Sequence, residues 1–446
     1  MSLNKRMSVS STRSGRSQSP LARFVVAPNA ESEEWVNAWK GALAQDLVDC
    51  PIVDVDAETT VEEACELLLS RNILCLAVKS APSSEAPETP YIGLFDFADV
   101  NAFLTFAATR HTYSPEHLIE NPRVTQIMEA AKAGRVPVNL VSNLSEKNPL
   151  VELPHDATVV SLLGAFSSGT HRVLVQSPIG SSSTHIGIIS DRRLLAYFAS
   201  FARPQPTSPS SSPVLASPIS VRSASFNSPT SSFLRYLNNP LSSLSLPSLN
   251  LYSEVVAVTA GDTVLNAMKV MSELGVSSVA VVHEDTGNLL SAVSVTDIGK
   301  TVVPSQSNQV LTMPLQQLVT QIKMPDGSTD GRDKYPVYSV SPSSTLSYCM
   351  QKLLATNAHR VFVTAEGSVS PSAGRSAKGN LSGIVSIVDI LSLFARIANV
   401  PNVDPTRMQR HRRASSASSQ SSSSGVFSDL VRTNSRGSIG GRGPGR

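Results

Sequence analysis

Residues 345–397 read TLSYCMQKLLATNAHRVFVTAE, then an insertion GSVSPSAGRSAKGN, then LSGIVSIVDILSLFARI. In the first part Leu346, Met350, Leu353 and Leu354 fall on one helical stripe. VFVTAEG and GIVSIV are short β-branched runs separated by turn-forming sequence, which predicts two strands. A second helix is expected from Asp389, and YPVYSVSP ahead of the stretch supplies an extended segment. The unit therefore reads β-α-β-β-α, an α/β arrangement.

The same grammar recurs three times upstream, in the same order. The segments are CPIVDVDAETTVEEACELLLSRNILCLAV with YIGLFDFADVNAFL, NPLVELPHDATVVSLLGAFSSGTHRVLVQ with HIGIISDRRLLAYFA, and EVVAVTAGDTVLNAMKVMSELGVSSVAVV with LLSAVSVTDIGKTV. Each places Thr before an apolar residue (Thr60-Val61, Thr158-Val159, Thr263-Val264, Thr345-Leu346) at the start of a helix-length stretch. The helix of the second segment reads one residue shorter. Four copies in order predict a repeat protein.

The chain of 446 residues, 41% hydrophobic, holds material for two compact domains plus tails. Its formal net charge of +2 speaks against a dominant nucleic-acid surface. Cys50, Cys65, Cys75 and Cys349 show no CxxC spacing, and three sit in predicted elements, so buried free thiols in a reducing compartment are expected rather than a zinc or disulfide framework. No apolar run reaches the ~18 residues that span a bilayer, and the first residues lack the apolar core of a signal peptide. A soluble intracellular protein with no membrane partner is the expectation. No GxSxG elbow, Walker loop, HExxH or kinase motif set is present, so no catalytic centre is expected.

Composition divides the chain into a Ser/Arg tail (1–30), a helix with the first repeat (31–110), a connecting segment (111–147), the second repeat (148–203), a Ser/Pro-rich linker (204–250), the third repeat (251–303), a second connection (304–334), the fourth repeat (335–400) and a Ser/Arg/Gly tail (401–446). Tails and linker read as disordered, offering little to bury. In ESEEWVNAWKGALAQDL the residues Trp35, Ala38, Trp39, Ala42, Leu43 and Leu47 recur at helical spacing. The two tryptophans are expected to cap the core of the first repeat, with an aromatic docking site for a partner as the alternative. TQIMEAAKAG in the first connection reads as a helix packed on the repeat pair, and FLRYLNNPLSSLSLPSLNLY as a segment docked on the second domain. Ser19, Ser208, Ser212, Ser217 and Ser228 precede Pro, while Ser19, Ser225, Ser415 and Ser435 follow Arg at basophilic spacing, making all eight expected targets of protein kinases.

The four repeats resemble cystathionine-β-synthase (CBS) domains, the resemblance resting on the strand-to-helix signature seen as Gly383-Ile-Val-Ser386-Ile-Val-Asp389. Such domains pair through their sheets, so repeats one with two and three with four are expected to form two Bateman modules. The resemblance implies that the Ser and Asp hold the ribose of an adenine nucleotide and that basic residues of the strand approach its phosphates. The ribose positions are Ser386 and Asp389 in repeat four, Ser294 and Asp297 in repeat three, and Asp96 and Asp99 in repeat one. Repeat two has Ser190 but Arg193 in place of the Asp, so it is expected to lack the ribose clamp. Asp96 and Asp99 also read as a helix cap. His171-Arg172 and His359-Arg360 precede apolar strands as in the AMP-activated protein kinase γ subunit, whereas repeats one and three carry Leu74-Cys75 and Ser277-Ser278 there. His171, Arg172, His359 and Arg360 are thus candidate phosphate contacts, with helix capping or pairing to an acid as the alternative. AMP, ADP or ATP is the expected ligand class; no cofactor is required.

The whole layout, an Arg/Ser tail, the EEWVNAWK helix, four repeats, a Ser/Pro linker and RRASSASS near the end, resembles the fungal Sds/Moc family of CBS proteins. That resemblance implies a cytoplasmic and nuclear inhibitor of type 2A-like protein phosphatases, acting in cell-cycle progression, cell separation, DNA replication and nutrient stress. The alternative is an adenylate-sensing γ-like subunit of a protein kinase complex. A homodimer is left open.

Overall fold

The computed structural model describes residues 29–80, 90–110, 121–181, 183–203, 229–250, 255–304, 309–323, 339–364 and 380–404. The expected phosphorylation serines, most of both terminal tails, the Ser/Pro stretch of the linker and most of the insertions in repeats one and four lie outside the described residues. In chain order the main elements begin with α1 (Ala30–Lys40), β1 (Asp54–Val55), α2 (Val61–Ser70), β2 (Cys75–Lys79), β3 (Tyr91–Asp96), α3 (Phe97–Thr109) and α4 (Pro122–Lys132). Next come β4 (Glu152–Pro154), α5 (Val159–Phe166), β5 (Arg172–Gln176), β6 (His185–Ser190), α6 (Asp191–Phe201), α7 (Pro229–Leu237) and α8 (Pro247–Asn250). Then follow β7 (Ala257–Thr259), α9 (Val264–Leu274), β8 (Ser278–Val282), β9 (Leu289–Ser294), α10 (Val295–Val302), α11 (Gln309–Thr312) and α12 (Leu315–Lys323). The fourth repeat holds β10 (Ser339–Val340), α13 (Leu346–Ala355), β11 (Arg360–Thr364), β12 (Leu381–Ser386) and α14 (Ile387–Ile397).

Each repeat builds a three-stranded sheet whose middle strand is parallel to the first and antiparallel to the third. A register shift falls near the end of the middle strand in all four, at Val78/Lys79, Val175/Gln176, Val281/Val282 and Val363/Thr364. The recurring threonines are helix N-caps: Thr60, Thr158, Thr263 and Thr345 accept a hydrogen bond from the backbone N–H three residues on. Just past the same helix stands a residue in the left-handed region, Asn72, Gly169, Gly275 or Asn357, which turns the chain into the middle strand. The second repeat's helix has 8 residues where the others have 10 or 11, so the expected shortening is real and larger than one residue. In α13 the buried face is Leu346, Cys349, Met350 and Leu353, with Leu354 half-buried at its edge. Helix α14 begins two residues before Asp389, because Ser386 caps it and Asp389 closes the capping box from within.

Sheets face each other within a pair and helices face each other between pairs. Cys75, Ala77 and Leu94 of repeat one pack with Leu174 and Ile188 of repeat two. Across the pairs, α3 of repeat one lies on α9 and α10 of repeat three, and α14 of repeat four lies on α5 and α6 of repeat two. The two large cores accordingly run between pairs, one joining repeats one and three, the other repeats two and four.

The segments outside the repeats are exchanged. Thr158 of repeat two bridges to Leu43, ahead of repeat one, while Thr60 of repeat one bridges to Pro137, behind it. Likewise Thr345 of repeat four bridges to Pro240 and Thr263 of repeat three to Pro314. The tryptophans therefore do not cap repeat one. Trp39 is fully buried against Phe198 of repeat two and Phe394 of repeat four, with ring centroids 5.0 and 6.1 Å away, and Trp35 donates to Ser232 Oγ at 2.7 Å. Burial also removes them as an exposed docking site. Helix α4 sends Ile127 into the core of repeats one and three, and Phe233, Leu237, Leu241 and Leu246 of the expected docking segment enter the other core. Cys65, Cys75 and Cys349 are buried and Cys50 exposed, all as free thiols. Among the described residues no helix is long and apolar enough to cross a membrane.

Candidate functional site

Strand register sets the candidate residues opposite one another. Arg172 pairs with Ser190, Arg360 with Ser386, Ser278 with Ser294, and Cys75 with Asp96. In every repeat the start of the middle strand thus lies beside the N-cap of the second helix, where free backbone N–H groups favour negative charge.

At the junction of all four repeats these ends surround a cavity of about 490 Å³. Asp96, His171, Arg172, Ser294, Asp297, His359 and Arg360 line it, together with Lys147, Arg192 and Lys300. Arg172 is tied within the first pair, donating to Asp96 Oδ2 at 2.9 Å, Asn148 Oδ1 at 3.2 Å and Leu74 O at 3.3 Å. Arg360 has neutral partners, Ser277 Oγ at 2.7 Å and Ser278 O at 3.5 Å. Burial pushes its guanidinium down to about 10, a fall that the charge of Asp389 only partly offsets. Cations also cross between the pairs: Lys300 Nζ donates to Asn72 Oδ1 at 3.1 Å and Arg192 Nη1 to Asn357 Oδ1 at 2.9 Å.

The remaining expected residues, Ser190, Asp99, Ser386 and Asp389, do not line the cavity. Segments of the chain itself engage them. Asp389 accepts from Ser386 Oγ at 2.6 Å and, on its other oxygen, from Ser248 Oγ of the docking segment at 2.7 Å. Asp99 accepts from Ser145 N at 2.8 Å and Ser145 Oγ at 2.7 Å, in the first connection. Burial, then the neighbouring Asp96, pushes the Asp99 carboxyl up to about 7. In repeat two Ser190 Oγ donates to Asp49 Oδ2 at 2.6 Å, so a carboxylate from outside the repeat stands where Arg193 displaced the internal one. The Asp96–Asp99 pair forms a capping box, as its helix-cap reading expected, and Ser294–Asp297 forms another, while Asp96, Ser294 and Asp297 stand on the cavity wall.

Sequence reasoning missed Asp191, Lys147, Arg192 and Lys300. Asp191 is 1% exposed and opens helix α6 at a position that holds Phe97, Val295 and Ile387 in the other repeats. That departure from an apolar pattern was the available signal. Its Oδ2 lies 2.8 Å from His171 Nδ1 and 3.6 Å from His359 Nδ1, joining repeats two and four. Burial alone would raise this carboxyl, but His359 and His171 hold it far below the usual range.

Residues 251–303 match the CBS domain family. Protein sds23 of Aspergillus niger is 29% identical over 353 residues, 78% of this chain and 61% of the relative. Protein SDS23 of Yarrowia lipolytica is 28% identical over 321 residues, 72% of this chain and 56% of the relative. The chain spans about three fifths of the length of the curated relatives it matches. Among solved structures, protein MJ1225 from Methanocaldococcus jannaschii, a candidate archaeal homologue of γ-AMPK, superposes with a TM-score of 0.50 at 13% identity, covering 79% of this chain and 100% of that one. That likeness is one of fold. One repeat matches the CBS domain family, the other three share its three-stranded sheet, the four have the fold of paired CBS domains, and in sequence the chain resembles the Sds23 proteins of fungi.

Proposed function

We propose that the protein is a non-catalytic regulator whose central cavity takes the phosphate end of an adenine nucleotide and whose outer surface contacts a type 2A-like protein phosphatase, lowering its activity. The observation that carries the ligand reading is Arg360, a guanidinium facing a polar cavity with hydrogen bonds to neutral groups, beside Lys147, Arg192 and Lys300. Asp389 acts on it only through space, so the desolvation of this guanidinium is incompletely offset and an anionic ligand would add a direct counter-charge. Ser294 and Asp297 are the ribose contacts of this reading, because they line the cavity and Asp99 and Asp389 do not. The phosphatase partner, the cytoplasmic and nuclear location and the roles in cell-cycle progression, cell separation, DNA replication and stress rest on the resemblance to the Sds proteins.

Calorimetric titration of AMP, ADP and ATP into the full chain tests the ligand. Saturable binding is expected, weakened about 10- to 100-fold in Arg360→Ala, the equivalent of losing a charged hydrogen bond of ~1.5–3 kcal/mol, and weakened also in Asp297→Asn. No heat and no thermal shift with any of the three would make the cavity structural. The partner is tested by affinity capture: copurification with a type 2A-like phosphatase of reduced activity supports the reading, and copurification with kinase catalytic and scaffold subunits would replace it by the γ-like alternative.

A further inference from the structure

We propose that His171, Asp191 and His359 form a binding site for a divalent transition metal of the zinc or cobalt class, clasping repeat two to repeat four independently of any nucleotide. Each residue offers one ligand atom, and these atoms lie within 4.8 Å of one another. Two imidazoles and a carboxylate are the donors such metals take, with bonds of about 2.0–2.2 Å, so neighbouring donors sit roughly 3–3.5 Å apart in a tetrahedral site. The distances of 2.8 and 3.6 Å from Asp191 Oδ2 to the two Nδ1 atoms bracket that spacing.

Two observations separate the cluster from an ordinary hydrogen-bonded histidine pair. Nδ1 of His359 is buried with no hydrogen-bond partner, its distance to the carboxylate being too long for one. The carboxylate itself occupies a position that is apolar in the three other repeats. One buried anion facing two imidazoles from different modules is what a cation would need, and packing alone would be served by Phe, Val or Ile. Metal binding takes the Nδ1 lone pair of each ring, so a proton held on Nδ1 must move to Nε2 or be released. Both histidines also line the central cavity, so the remaining coordination position opens there to water or an anion. Two guanidiniums stand nearby: Arg172 pairs with Asp96, and Arg192, whose backbone N–H donates to Asp191 Oδ1 at 2.7 Å, reaches Asn357 with its side chain.

The test uses the full chain, stripped with chelator and titrated with Co²⁺ alone. One Co²⁺ per chain is expected, with visible bands of a four- or five-coordinate site, no thiolate charge-transfer band, and displacement by Zn²⁺ but not Mg²⁺. In His171→Asn and His359→Gln, checked for folding by circular dichroism, affinity is expected to fall at least about tenfold. In the wild type, two of the 8 histidine ring signals in the NMR spectrum are expected to shift paramagnetically, a readout that needs no variant. Absence of a saturable band, a band unchanged in both folded variants, or ring signals that do not move would each overturn the site.

Discussion

Asp99 is fully buried, and its carboxyl is pushed up to about 7 from an ordinary value of 3.8 by desolvation and then by Asp96. A carboxyl whose folded value is raised contributes stability that is fully present below the ordinary value and lost as pH rises through the folded one, because the folded state holds the proton longer. The window is therefore about pH 4 to 7. Asp99→Asn removes the titration, so the variant is expected to gain on the wild type between about pH 4 and pH 7, with a slope of at most about 1.4 kcal/mol per pH unit. Urea midpoints of both proteins across that range check this; a constant difference would mean that the hydrogen bonds from Ser145 keep Asp99 ionised throughout. At this scale legibility was uneven. Asp96, Asp99, Ser294, Asp297, Ser386 and Asp389 were all found as a recurring pattern, and capping geometry explains the recurrence whether or not a ligand binds. What could not be read was which carboxylates the chain itself would engage: Ser145, Ser248 and Asp49 come from segments with no repeat pattern of their own.

Elements were legible wherever a local rule produced them. The four N-cap threonines and the left-handed residue after each first helix are short-range constraints, so a single chain displays them four times over. The placement of helix α1 is set instead by tertiary packing, and proximity in sequence pointed to the wrong repeat. Its indole Trp39 meets Phe198, Phe201, Phe233 and Phe394 at centroid distances from 5.0 to 6.5 Å, so one helix fastens repeat two, repeat four and α7 together. Trp39→Ala is expected to cost about 3–5 kcal/mol, the range for removing a large core aromatic. Only Trp35 then remains as an indole fluorophore, and its emission should move toward that of an exposed ring if α1 undocks. An unchanged urea midpoint with unchanged emission would show that α1 holds its place through Trp35 and its Ser232 contact alone.

The whole molecule places its apolar surfaces in an order that dictates how it can come apart. Sheet faces are satisfied within each pair, but the helices of each pair bury their apolar sides against the other pair: α3 against α9 and α10, α14 against α5 and α6. Gly299 of α10 shows how close this approach is, since a Cβ there would run into the Phe97 ring. A first pair made alone, residues 29–203, would expose Phe97, Val100, Leu162, Leu163 and Phe198, all buried in the intact chain. Apolar patches of that kind are not stable on a monomer. Because the second pair repeats the architecture of the first, another copy of the fragment can offer the missing helices, although Asn101 would lose its bond to Met268 O at 3.1 Å and α1 its packing on α7. The fragment is therefore expected to run as a dimer, or to aggregate, in light scattering at micromolar concentration, and to be less stable than the full chain. A fragment that stays monomeric with the thermal midpoint of the intact protein would mean that the pairs are independent folding units, and that the cavity between them is a contact surface rather than part of one cooperative core.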